Sequence, residues 1–180
     1  MITRMKNHLR RFRDEEKGVL YVIEFAILAP VLFGAFFFGF ELSLHSIRQM
    51  QLDRGLEVTT RSVRLNTGVE ITHDDLKKAI CMNAGGLDNC DENLRLEMLP
   101  MNPRSFSGLE ANPDCTDAPL EVSPVRGWSL GKQHELMLLR ACYKFDPVFG
   151  SIGLGNLLGQ ASSDGKGKMV SMSAFVQEPR

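Results

Sequence analysis

The sequence has almost no net charge: 21 Lys and Arg face 22 Asp and Glu, a balance of -1. It lacks the basic surplus of a nucleic-acid-binding tail, so no nucleic-acid partner is expected. With 43% hydrophobic residues it also lacks the polarity of a disordered chain. No Gly-X-Y period and no internal repeat occur, which excludes collagen-like and repeat architectures. Histidine is scarce. His8, His45, His73 and His134 are all there are, no two at metal-ligand spacing, and H-E-x-x-H is absent. The four cysteines contain no C-x2-C pair, which argues against a zinc or thioredoxin-like site. No metal and no cofactor are expected.

Two glycine patterns invite an enzymatic reading and fail it. Gly127-Trp128-Ser129-Leu130-Gly131 matches G-x-S-x-G. A nucleophile elbow needs a strand before it, a helix after it, and an acid and then a histidine later in the chain. The last histidine is His134, and the residues from Glu135 on alternate like a strand. The expectation is a turn with Trp128 packed on a sheet, and no enzyme. Gly153-x-Gly155-x3-Gly159 is one residue too long for the dinucleotide fingerprint and reads as a flexible loop.

What is present is one long apolar run. Of the 22 residues from Val19 to Phe40, only Glu24, Pro30, Gly34 and Gly39 are not hydrophobic, and six of the 11 Phe sit there. About 20 apolar residues at ~1.5 Å each cross a bilayer core of ~30 Å. A secretory signal fits less well, because the run is long, holds Glu24 and is followed by no A-x-A-like site. Residues 1–17 carry a net +3, which leaves -4 for the remainder. The positive-inside tendency puts the N-terminus in the cytoplasm and residues beyond about 45 outside. Cys81, Cys90, Cys115 and Cys142 all fall on that outer side, where an even number predicts two disulfides with three possible pairings.

Four segments follow: a basic head at 1–18, a span at 19–41, an amphipathic helical extension at 42–66, and an outer domain at 67–180. In the extension Leu44, Ile47, Leu52, Leu56, Thr59 and Val63 recur near helical spacing. Arg48, Arg54, Arg61 and Arg64 occupy other faces and are expected in solvent. Asn66-Thr67-Gly68 is a stop signal. Thr72-x-x-Asp75 predicts a capped helix through about Met82, and Asn83 to Asn89 a loop. Leu94, Leu96 and Met98 alternate with Arg95 and Glu97 as a half-buried strand. Residues 100–119 hold four prolines and read as an irregular loop around Cys115. Strands are predicted at Glu135 to Phe145 and Met169 to Val176, with a polar turn at Ser162 to Lys168. The fold class is α+β: a long N-terminal transmembrane helix leading into a small disulfide-bonded antiparallel sheet.

The apolar run starts in an informative way: Lys17-Gly18-Val19-Leu20-Tyr21-Val22-Ile23-Glu24-Phe25-Ala26. A charged head ends at a glycine, and a hydrophobic helix with one carboxylate follows. Such a carboxylate costs ~3 kcal/mol at mid-helix on insertion scales and less near the interface. If a peptidase cut after Gly18, the new amine of Val19 would offer Glu24 of a neighbouring subunit a partner. Burial would then be offset only on assembly. Without the cut, Glu24 would snorkel toward the cytoplasmic headgroups or stay protonated. Glu41 reads as a boundary residue at the outer interface. Ala35-x3-Gly39 is a small-x3-small pair for helix packing, and Pro30 loosens the helix at mid-span.

On these residues the sequence resembles type IV pilins and pseudopilins. More narrowly it resembles the TadE/TadF-like minor pseudopilins of tight-adherence (Flp) pilus systems. The resemblance is carried by Gly18, by Glu24-Phe25-Ala26-Ile27-Leu28-Ala29-Pro30, by Gly39-Phe40-Glu41-Leu42 and by the arginine-bearing extension. Shorter echoes are Arg140-Ala141-Cys142-Tyr143, Pro147 to Gly155 and Phe175-Val176-Gln177-Glu178-Pro179. The resemblance implies a pilin-like fold and a prepilin peptidase site between Gly18 and Val19. It implies Glu24 and Phe25 as register residues, with Pro30, Ala35 and Gly39 in helix packing. It also implies assembly with other pilins and the pilus platform, in a bacterial inner membrane with the outer domain periplasmic. One departure stands: counting from Val19, Glu24 is the sixth residue, where pilin-like sites usually have the fifth. The alternative is an unprocessed bitopic cell-envelope protein that binds a partner through its outer domain.

Overall fold

The computed structural model describes residues 16–66, 68–69, 71–104, 115, 128–150, 153–160 and 165–179, with side chains of the first helix from Tyr21 on. Residues 1–15 of the basic head, Gly127 and most of the proline-rich loop lie outside the described residues. Helix α1 runs Glu16–Leu65 through Pro30. The chain divides into two compact units at the Phe40–Glu41 bond. In the first unit α1 exposes nearly every side chain from Tyr21 to Phe40.

In the second unit α1 buries one stripe. Leu52, Leu56, Thr59 and Val63 are enclosed at the predicted spacing, while Ile47 faces out. Asn66 stops the helix as expected. Its backbone N–H donates to Ser62 O and Val63 O, both at 3.2 Å, and its side-chain amide donates to Ser62 O at 2.9 Å. Helix α2, His73–Ala84, begins at Thr72, whose hydroxyl oxygen accepts the Asp75 N–H at 3.2 Å. That bond satisfies one of the orphan donors of the first turn, and Asp74 and Asp75 favour the positive end. The helix runs two residues past the expected end and closes on Gly85. Gly55 of α1 marks where the two helices cross. A Cβ there would meet Ile80 O at 2.7 Å and the Ala84 Cβ at 2.8 Å, so only glycine fits.

A short helical turn, α3 at Cys90–Asn93, follows a left-handed Asn89 and was not foreseen. Three antiparallel strands follow in the order β1-β2-β3: β1 Leu94–Pro100, β2 Leu136–Phe145 and β3 Gly167–Val176. Leu96 pairs with Ala141, which pairs with Ser171, and the register holds along the sheet. One sheet face, with Leu94, Leu96, Met98, Leu139 and Tyr143, packs in the same core as the buried residues of α1 and α2. The Tyr143 hydroxyl donates to Asp88 O at 2.7 Å. Burial first, and the nearby Asp88 charge second, push the phenol above its ordinary range.

The opposite face of β2 is buried too, although it carries Arg140, Cys142 and Lys144. Arg140 forms an ion pair with Glu97, its cross-strand neighbour, and its Nε donates to Glu97 Oε2 at 2.6 Å. A buried charge is tolerated only when paired in this way. The four cysteines form two bridges, Cys81–Cys90 and Cys115–Cys142, with Cα atoms 5.7 and 5.8 Å apart. The first ties α2 to α3 and the second pins Cys115 to this face of β2.

One expectation is corrected. Residues 153–160, read as a flexible glycine-rich loop, form helix α4, Gly153–Gln160. Glycine is a poor helix former, but here tight packing outweighs propensity. A Cβ on Gly155 would meet Phe149 O at 2.5 Å, so the helix packs on the preceding turn only because that position has no side chain.

Candidate functional site on helix α1

From Tyr21 to Phe40 the helix surface is apolar and uncovered: Tyr21, Phe25, Ile27, Val31, Leu32 and Phe36 are each at least 65% exposed. An apolar surface of this extent marks a lipid or protein contact. The helix is long and apolar enough to cross a membrane. At about 100° per residue, Glu24, Leu28, Ala35 and Gly39 fall on one side. Phe33, Phe36, Phe37 and Phe40 fall on the other. Phe37 touches both Phe33 and Phe36, at centroid distances of 6.3 and 5.8 Å, so the aromatic side is a ridge. The side of Glu24, which Val31 and Phe38 share, has open space at Gly39, where an added Cβ would meet nothing within 4 Å.

Of the residues singled out in the sequence, the helix thus aligns Glu24, Ala35 and Gly39. Phe25 projects more than a quarter turn from Glu24, and Pro30 lies about a third of a turn away on the ridge side. Both are exposed. Gly18 and Val19 have helical backbone, and their side chains lie outside the described residues. Glu24 is exposed, with apolar neighbours Ile23, Phe25, Ile27 and Leu28.

The next carboxylate along α1 has the opposite environment. Glu41 is 1% exposed, and its two oxygens accept the Val148 and Phe149 N–H groups at 3.1 and 3.2 Å. Charge-assisted bonds to backbone amides are among the stronger ones. Glu41, the first residue of the second unit, therefore clamps the turn that follows β2, a role its boundary position did not suggest. One and two turns on, His45 packs edge-on against Phe145 at 5.6 Å and Arg48 sits 5.2 Å over the same ring. Gln49 donates to Val170 O at 3.2 Å. Arg54, Arg61 and Arg64 lie in solvent as expected, but Arg48 is half-buried. The only sequence signal for Glu41 was a carboxylate directly after an apolar run.

The cysteines act as staples within the second unit. In the G-x-S-x-G run, Trp128 bridges Met98, packs against the core and takes the edge of His73 at 5.2 Å. Ser129 donates its backbone N–H to Met98 O at 3.0 Å, and the chain continues as a loop into β2. Gly131 has its own reason to be glycine: the Met137 side chain fills the space a Cβ would need. No family profile, curated protein or solved structure matches this chain.

Proposed function

We propose that the chain is a membrane-anchored minor pseudopilin, similar to the TadE/TadF-like class, which takes part in pilus assembly or initiation. One observation carries the reading: an uncovered apolar helix bears one carboxylate on the same side as the small residues Ala35 and Gly39. The aromatic ridge of a neighbouring helix fits against that side, where Ala35 and Gly39 permit close approach. Glu24, on that same side, then meets a partner only in one register. A carboxylate in an apolar environment demands such a partner. The outer domain, held by two disulfides, selects what is assembled. No step calls on a cofactor.

The N-terminus is cytoplasmic and the outer domain periplasmic in this reading. The sixth-residue position of Glu24 keeps one other reading in play, an unprocessed bitopic protein of the cell envelope. Coexpression with a prepilin peptidase separates the two. The expected result is an intact mass lowered by residues 1–18, and an unchanged mass sinks the processing step. Glu24→Ala is expected to leave insertion intact and to weaken copurification with neighbouring pilins. Full copurification of that variant would reduce Glu24 to a snorkelling side chain.

A further inference from the structure

The two edges of the sheet are treated differently. β1 ends in Pro100, carries Arg95 and Glu97, and has Met98 O taken by the Ser129 N–H at 3.0 Å. β3 has ten residues, no proline and one charge, Lys168. The direction of its backbone groups follows from its end. Gln177 exchanges bonds with the β2 side: its N–H donates to Glu135 O at 3.1 Å, and its carbonyl accepts from His134 N–H at 3.0 Å. In an antiparallel ladder, alternate residues turn their N–H and C=O away from the partner strand. Phe175, Ser173 and Ser171 therefore face β2, while Val176, Ala174, Met172 and Val170 face outward. The Gln49 bond to Val170 O agrees with that phase. Among the described residues, no backbone bond meets the outward groups of Met172, Ala174 or Val176.

The same three residues expose their side chains, Met172 to 57% and Val176 to 46%. Beside them lies a half-open cavity of about 600 Å³. Glu57, Thr60, Arg61 and Arg64 line it from α1, and Ser173 and Phe175 from β3. Arg64 is engaged by Glu178 at 2.7 Å. Arg61 makes no ion pair among the described residues. An edge strand beside a helix, with an open groove between, is the geometry in which an extended peptide adds a strand.

We infer that the outer edge of β3, from Met172 to Val176, is a docking site for an extended segment of a different polypeptide. The segment joins the sheet as a fourth strand and turns an acidic side chain toward Arg61. Only a peptide backbone matches alternating free N–H and C=O groups at strand spacing. Apolar side chains on the guest's other face cover Met172 and Val176.

A second copy of this chain pairing through the same edge is disfavoured by charge: β3 carries no acidic residue to set against Arg61.

The test uses the full chain in detergent micelles and a phage-displayed library of random peptides as probe. Enriched peptides are expected to alternate apolar residues and to carry an acidic one. A bound peptide is expected to slow amide exchange at least tenfold at Met172, Ala174 and Val176, leaving Ser171, Ser173 and Phe175 as they were. Ala174→Pro deletes the central outward donor without touching the β2 ladder, and is expected to weaken binding tenfold or more. Met172→Lys with Val176→Lys does so without altering the backbone. Arg61→Glu is expected to lose only the acidic peptides. Absence of enrichment, protection at other residues, or unchanged affinity in both the proline and the double-lysine variants overturns the site. Self-association of the membrane-reconstituted chain with this protection pattern overturns the choice of a different polypeptide. A mass unchanged by the peptidase leaves the exchange pattern untouched, so the two readings fail separately.

Discussion

Helix α1 is one element with two surfaces. Up to Phe40 its apolar side chains face outward, and beyond Glu41 one stripe of them lines a core. Leu32 is 68% exposed and Leu56 is 1% exposed, in the same secondary structure and 24 residues apart. The carboxylates invert in parallel: Glu24 is open and Glu41 is enclosed by two backbone donors. Helix formation is therefore indifferent to what covers the side chains. Beyond Glu41 the chain covers one stripe of the helix itself, and before it the apolar surface is left uncovered.

The widest gap between the halves is expected at Leu56. Leu56→Ala removes a side chain from the centre of the core and is expected to cost the outer domain roughly 3–5 kcal/mol. Chemical denaturation of the chain in micelles, followed by the fluorescence of the single Trp128, measures it. A loss under 1 kcal/mol would mean that α1 is not integral to the outer domain, and the contrast would fall.

A smaller effect is expected at the first enclosed residue. Glu41→Gln keeps the shape but removes the charge that two amides share, at a cost of about 1–2 kcal/mol. Faster amide exchange at Val148 and Phe149 alone would localise the loss. Unchanged exchange there would show the clamp to be dispensable.

Periodicity found α1, its buried stripe and all three strands, because each reports which side chains must leave water. The Thr72 cap was legible for a local reason: a hydroxyl directly before an acidic first turn answers the orphan amide of Asp75, three residues on. What stayed hidden depends on contacts distant in sequence. Helix α4 is the local exception: its glycines read as a flexible loop until Phe149 O, six residues back, is seen in the space of a Gly155 Cβ. Nothing local to Glu41 signals that a turn 107 residues later folds onto it. The cysteine count gave two bridges but not the pairing, since three pairings satisfy the same spacing. On the candidate site, the positions of Glu24, Ala35 and Gly39 were legible and their shared side follows from helix geometry. The open edge of β3 had no sequence signature, because alternation says which face is buried and not which strand is last.

Alkaline pH probes the enclosed half by titration. The Tyr143 phenol is pushed up, chiefly by burial, so the folded state holds its proton where the unfolded chain, near pH 10, releases it. The unfolded state then binds fewer protons, and stability falls as pH rises from about 10 toward the folded value. Tyr143→Phe is expected to flatten that slope while lowering stability at neutral pH through loss of the bond to Asp88. An equal slope in the variant would assign the alkaline loss to other groups.

The smallest expected effect makes the sharpest test of the contrast. Leu32→Ala removes the same atoms as Leu56→Ala, from the same kind of helix. Leu32 is uncovered, so its truncation leaves no cavity in the chain, and the stability of the outer domain is expected to stay within about 0.5 kcal/mol. The lost methyl groups should register instead wherever the helix finds its cover: in partition into the membrane or in copurification with other helices. If Leu32→Ala lowers outer-domain stability as Leu56→Ala does, the two halves share one core and the Phe40–Glu41 division is wrong. If it changes only association, the apolar surface before Glu41 belongs to the assembly and the surface after it to the fold.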